Sequence, residues 1–275
     1  MHTKEVFPSL EGWEPTRDAL HEYVRVVCAV PRALAEPHPL SWHVSLKLKS
    51  DLLWTDAIHH PALAEQVLQL YVDLQSSLAA ISLDGETVET FPLDALPDAA
   101  ELGQAIGNRL AGLGIETRLE FKPLASDGPR AYDPAHAQSY LSALQLAHKV
   151  QSLVKATLEG ETGPIQLWPF NFDQAFEWFS GRTVKQQDGE AQAQINFGFA
   201  PGDSTHPRPY FYSNPSPMDG RLTNKPLAAG ARWFESSWQG TLLDYDRLVN
   251  VPGGPALLEK YYQSVYMAAS PTLRA

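Results

Sequence analysis

Apolar residues in this chain recur with two different periods, and the two periods take turns along its length. Residues 15–28, 97–113, 133–158 and 255–268 carry them at helical spacing, whereas 41–49, 115–121 and 192–199 carry them at every second position. A side-chain period near 3.6 buries one stripe of a helix, and a period of two buries one face of a strand, so neither segment type can replace the other. The chain must therefore combine helices with sheets. Its 22 prolines and 18 glycines fall mostly between these segments and keep each element short.

Individual segments give sharper expectations. Pro15 suits the first turn of a helix whose apolar face is Leu20, Tyr23, Val24, Val27 and Cys28, with Pro31 ending or kinking it. Glu36-Pro37-His38-Pro39 reads as a stiff connector into a strand over Ser41–Lys49, with Trp42, Val44, Leu46 and Leu48 on the buried face and His43, Ser45, Lys47 and Lys49 on the other. Residues 65–75 fit a helix or a strand. Asp84-Gly85, between Leu78–Leu83 and Thr87–Phe91, signals a hairpin. Pro97 opens a helix through about Leu113, capped by Gly114, and Ile115–Phe121 alternates as a strand. Asp127-Gly128-Pro129 is a turn. Asp133 caps a long helix with Pro134 at its first position. Strands follow at Ile165–Trp168, Gln192–Phe199 and Pro209–Tyr212, a short helix at Leu227–Phe234 and a final helix from Pro255.

This order predicts an α+β fold with mostly antiparallel sheets and packed helices. Residues 1–275 read as one compact unit, with internal halves 1–126 and 127–275. Both halves start on a long helix that leads to a strand, which suggests two divergent pseudo-repeats.

Charge and cysteine content narrow the function classes. The formal net charge is -11, and no basic cluster is present to neutralise phosphates, so neither nucleic acid nor an anionic membrane surface is an expected partner. No apolar run approaches the ~20 residues of a membrane helix. The start lacks the apolar core of a signal peptide, and the lone Cys28 allows no internal disulfide, so a cytoplasmic location is expected. The oligomeric state is left open.

The motif order resembles a known family. Trp13-Glu14-Pro15-Thr16-Arg17 with Leu20-His21, then Trp42-His43-Val44, Tyr132-Asp133-Pro134, Phe172-Asp173 and Phe179-Ser180-Gly181-Arg182 are similar to the motifs of the bacterial DUF5996 family. Gly198-Phe199, Pro201-Gly202, Phe211-Tyr212-Ser213, Pro215-Ser216-Pro217, Leu243-Asp244-Tyr245-Asp246 and Tyr266-Met267-Ala268-Ala269 continue the series. The resemblance implies one conserved unit over nearly the whole chain. It implies no activity, because the family's function is unassigned. The chain departs from the pattern at Asp73–Ser77, which lacks a histidine, at Ala191–Gln194, which lacks His and Glu, and at Ala200, where the pattern has Trp. These losses weigh against catalysis.

The expected site binds a small molecule in a cleft between the two halves, lined by Trp42, His43, Trp168, Asp173, Arg182 and Tyr212. Imidazole and carboxylate supply acid–base or metal-ligating groups, so His43 and Asp173, with His21 near, are the catalytic candidates of a hydrolase-like alternative. Arg182 suits a carboxylate or phosphate, or else pairs with Asp173 or Glu177. Asn171, Asn196, Asn214 and Gln166 interleave with a dense aromatic run (Phe170, Phe172, Phe176, Trp178, Phe179, Phe197, Phe199, Tyr210 and Phe211) as polar anchors. The bland alternative is a sheet core in a structural or interaction protein. His59-His60, with His38, lacks the spacing of a zinc site, so no metal is expected. Cys28 reads as a buried small apolar residue. No phosphate-binding loop, dinucleotide fingerprint, hydrolase elbow or zincin motif occurs, and no cofactor is expected.

Overall fold

The computed structural model describes residues 5–96, 98–121, 131–186, 189–203 and 206–275. These form an α+β fold of four α-helices and two antiparallel sheets. Pro97, the Asp127-Gly128-Pro129 turn and the boundary at residue 126 lie outside the described residues. The chain divides into two compact units. The amino-terminal unit holds Leu10–Leu141 and Gln166–Phe172, and the carboxy-terminal unit holds Met1–Ser9, Ser142–Ile165 and Asp173–Ala275.

In the amino-terminal unit, α1 (Glu14–Leu34) starts on Pro15 and buries Leu20, Tyr23, Val24, Val27 and Cys28 almost completely. It runs past Pro31 for one more turn, and the Ala35 N–H closes that turn on the Pro31 carbonyl at 2.9 Å. The sheet comprises β1 (Lys47–Lys49), β2 (Leu52–Trp54), β3 (Ile58–His59), β4 (Val67–Asp73), β5 (Leu78–Leu83) and β6 (Glu86–Pro92). Its order is β1-β2-β4-β5-β6, with β3 on β4. Residues 67–73 are thus a strand, and Asp84-Gly85 turns the β5–β6 hairpin. α2 (Ala99–Gly112) is capped by the Asp98 carboxylate, which accepts from the Ala100 and Glu101 N–H groups, and ends before Gly114 at φ 79°.

Three expected elements differ. Ser41–Lys49 is not one strand: Trp42–Val44 is a 3-10 turn, Leu46 forms an isolated bridge, and only Lys47–Lys49 forms a strand. Ser41 adopts a left-handed φ of 58°, and the Ser45 hydroxyl donates to the Trp42 carbonyl, so the turn is held locally. Ser45 and Lys47 are consequently buried, against the alternation. Residues 115–121 form no strand. The Ile115 N–H is spent on the Leu110 carbonyl at the end of α2, and the Phe121 ring fills the space over Gly103, leaving no ladder to join. Leu227–Phe234 is not a helix, because Ala229 and Gly230 both have left-handed φ and β12 (Arg232–Glu235) pairs with a neighbouring strand instead.

In the carboxy-terminal unit the sheet is built from β7 (Glu161–Thr162), β9 (Gln174–Gln186), β10 (Gly189–Ala200), β11 (Tyr210–Ser216), β12 and β13 (Gln239–Asp244), in the order β12-β13-β11-β10-β9-β7. The short β8 (Gln166–Leu167) belongs to the amino-terminal unit, where Leu167 bridges Leu46. α3 (Pro134–Thr157) begins as expected, with the Asp133 carboxylate accepting from the Ala135 N–H. α4 (Gly254–Arg274) covers one sheet face. Tyr262 meets the Phe197 ring edge-on at 5.5 Å and donates to the Gly198 carbonyl, while Tyr261 shares a 2.7 Å hydrogen bond with Thr241. Phe176, Phe197, Phe199 and Phe211 fill this layer, so the aromatic run serves first as core. A buried Gln151–Gln174 pair ties α3 to the sheet, with Gln151 also donating to the Phe197 carbonyl. Among the described residues, no helix is long and apolar enough to cross a membrane.

Candidate functional site

β9, β10 and β11 lie side by side, and their register sets the site. Successive side chains point to opposite faces, so the strands that send Phe176 and Phe197 toward α4 send another set the other way. One cross-strand row of that second face is Ala175, Gly198 and Tyr212, and the next is Glu177, Asn196 and Asn214. Gly198 is required for space: a Cβ there would overlap the Tyr212 ring. With only hydrogen at Gly198, the ring lies flat across β10 and its hydroxyl donates to the carboxylate of Asp173, at the start of β9.

Asp173 is 6% exposed. Burial pushes its carboxyl up to about 6, although the Tyr212 hydrogen bond pulls the other way. Burial, then the facing Asp173 charge, holds the Tyr212 phenol well above its ordinary value. Burial also pushes Glu177 up to about 7. The Asp173 charge adds to this, and its own backbone N–H and Lys155 oppose it. Lys155 itself donates to the Gly163 carbonyl at 2.6 Å. Among the described residues, Glu177 Oε2 and Asn196 Oδ1 are both buried and have no hydrogen-bond partner, and the two residues are direct register partners. Beside this polar strip stands an aromatic one. Trp238 packs on Phe234 at 4.6 Å and meets Tyr212 edge-on at 6.2 Å, next to buried Ala200, Tyr210 and Leu242.

The other expected site residues are placed as follows. Asp173 and Tyr212 meet directly. Arg182 lies in the same unit but more than ~20 Å farther along β9. There the ladder jumps from Phe179 to Thr183, and Ser180, Gly181 and Arg182 bulge out. Gly181 has φ 81°, and the Ser180 hydroxyl accepts from the Arg182 N–H. Trp42, His43 and Trp168 belong to the amino-terminal unit. The Trp42 ring stacks on His38 at 4.4 Å, and His43 Nδ1 accepts from the His38 N–H. Burial, His38 and Lys47 lower the His43 pKa.

His21 has a structural setting. It stacks on Phe172 at 5.4 Å, and its Nε2 lies 2.9 Å from the Pro169 carbonyl. Burial, with Arg25 adding, lowers its pKa to about 4, so the ring is neutral and donates that hydrogen bond. Arg25 donates to the carbonyls of Pro169 and Phe170, so one helix face fixes the segment that enters Asp173. His60 caps the turn at Pro61–Leu63, and Cys28 is fully buried with its thiol pushed up to about 12.

Glu177 was named in the sequence only as a partner for Arg182, and Gly198 only as part of a motif. Their signal was the shared alternation of 173–177 and 192–199, which becomes informative once the register is known.

These features define an α+β protein with a pair of buried, near-neutral carboxyls and unpaired acceptor oxygens on one sheet face. The chain belongs to the DUF5996 family, a family of unknown function whose model matches residues 7–274. No curated protein and no solved structure matches it.

Proposed function

We propose that this protein binds a small polar organic molecule on the sheet face formed by Asp173, Glu177, Asn196 and Tyr212. The observation that carries the reading is the adjacent pair Glu177 Oε2 and Asn196 Oδ1, buried without donors. Each such acceptor costs about 1–3 kcal/mol when left unpaired, and a bound ligand that supplies donors would recover that cost. The Tyr212 ring takes the space over Gly198 and, locked by Asp173, forms a rigid wall beside the Glu177–Asn196 row.

Ligand-observed NMR with a fragment library tests this. Polar fragments should show saturation transfer with the native chain and lose it in Asn196→Ala and Glu177→Gln. An identical hit list for the native chain and both variants would remove the basis of the reading.

A second reading, acid–base catalysis, is favoured by one feature: burial raises both the Asp173 and the Glu177 carboxyls toward neutrality. A hydrolase substrate panel should then show turnover that Asp173→Asn abolishes, and silence from both chains would eliminate it.

A further inference from the structure

The unmatched groups on this face share one sign. Asp173, Glu177 Oε2 and Asn196 Oδ1 are acceptors, and the Tyr212 hydroxyl is already spent on Asp173. The nearby cation, Lys155 of α3, directs one N–H to the Gly163 carbonyl, and the Asn214 amide donates to the Gln239 carbonyl at 2.9 Å. A ligand that brings donors satisfies the two unpaired acceptors. Resting on the ligand-site reading above, we propose that the ligand is an organic ammonium ion, its N–H groups on Glu177 and Asn196 and its hydrocarbon part along Tyr212 and Trp238.

Three physical arguments converge on a cation. A desolvated carboxylate gains most from a charge-assisted donor, because solvent no longer screens it. Two carboxyls on one face repel an anion and repel each other when both ionise, and a cation relieves both effects. Finally, Tyr212 touches the Asp173 carboxyl and continues into the rings of Trp238 and Phe234, and aromatic rings next to a carboxyl are how proteins hold the hydrocarbon part of an ammonium ligand. Without ligand, burial keeps a proton on the Glu177 carboxyl up to about pH 7. An ammonium takes the place of that proton, so binding releases it. The charged and titratable groups acting on Glu177 are Asp173 and Lys155, and those acting on Asp173 include Tyr212.

The test uses three probes of one shape: benzylamine, benzyl alcohol and benzoate. Each is titrated against the full chain by NMR, with Asn196, Tyr212 and Trp238 as reporters. Benzylamine should saturate, benzyl alcohol and benzoate should bind at least about tenfold more weakly, and Glu177→Gln, which keeps the side-chain shape, should weaken benzylamine by about tenfold. Benzylamine affinity should also rise between about pH 6 and about pH 8 as the Glu177 proton is lost. Equal binding of all three probes, or no loss in Glu177→Gln, overturns the ammonium assignment while leaving a ligand site. Absence of any shift at Asn196, Tyr212 and Trp238 with all three probes overturns the site itself.

Discussion

Replacing Glu177 with Gln should flatten the dependence of stability on pH around neutrality. The Glu177 carboxyl moves from 4.5 unfolded to about 7 folded, chiefly through burial. A raised folded value means that the folded state holds the proton more tightly. The stabilisation is complete below the unfolded pKa and is lost as pH rises through about 7. Across the window from about pH 5 to about pH 8 the unfolded chain is ionised throughout while the folded chain releases its proton, which removes about 2 kcal/mol of stability at 1.36 kcal/mol per unit. Asp173, raised from 3.8 to about 6, adds about 1 kcal/mol of the same sign. The assay is urea unfolding at both pH values for the native chain, Glu177→Gln and Asp173→Asn. His21, depressed to about 4, acts with the opposite sign in this window, so the Glu177 effect is read from the difference: between the two pH values the native chain should lose about 2 kcal/mol more than Glu177→Gln. If native and Glu177→Gln chains lose the same stability to within about 0.5 kcal/mol, Glu177 is not the titrating group and the desolvation argument fails.

Two further expectations use the same measurements. Gly198→Ala should destabilise by about 2–4 kcal/mol, because its methyl displaces the Tyr212 ring and breaks the hydrogen bond to Asp173. By contrast Gly107→Ala, in α2 with nothing near its Cβ, should stabilise by about 0.5–1 kcal/mol in the same melting series. Cys28, buried with its thiol at about 12, should resist alkylation in the native state and react only at the rate of unfolding, read by mass spectrometry. Fast labelling would place it in an open site.

Much of the fold was written locally. The α+β class, the Asp133 and Pro134 start of α3, the Asp84-Gly85 hairpin and the stripes of α1, α2 and α4 follow from side-chain period and backbone chemistry, which neighbours in sequence decide. The misjudged segments were those where distant partners decide. Residues 115–121 alternate like a strand but have no ladder to join, while Arg232–Glu235 pairs with β13 despite its helix-like pattern. The site divides in the same way. Asp173 and Tyr212 stood out as residues, yet they are 39 positions apart, and no spacing rule announces their hydrogen bond. Glu177 and Asn196 gain meaning only from the β9–β10 register, and Gly198 only from the ring that crosses it. Sequence by itself determined the α-helices and the Asp84-Gly85 hairpin, because propensity and period act over a few residues. Tertiary structure decided which polar groups are buried together and left unpaired, because that depends on register and packing between strands far apart in the chain.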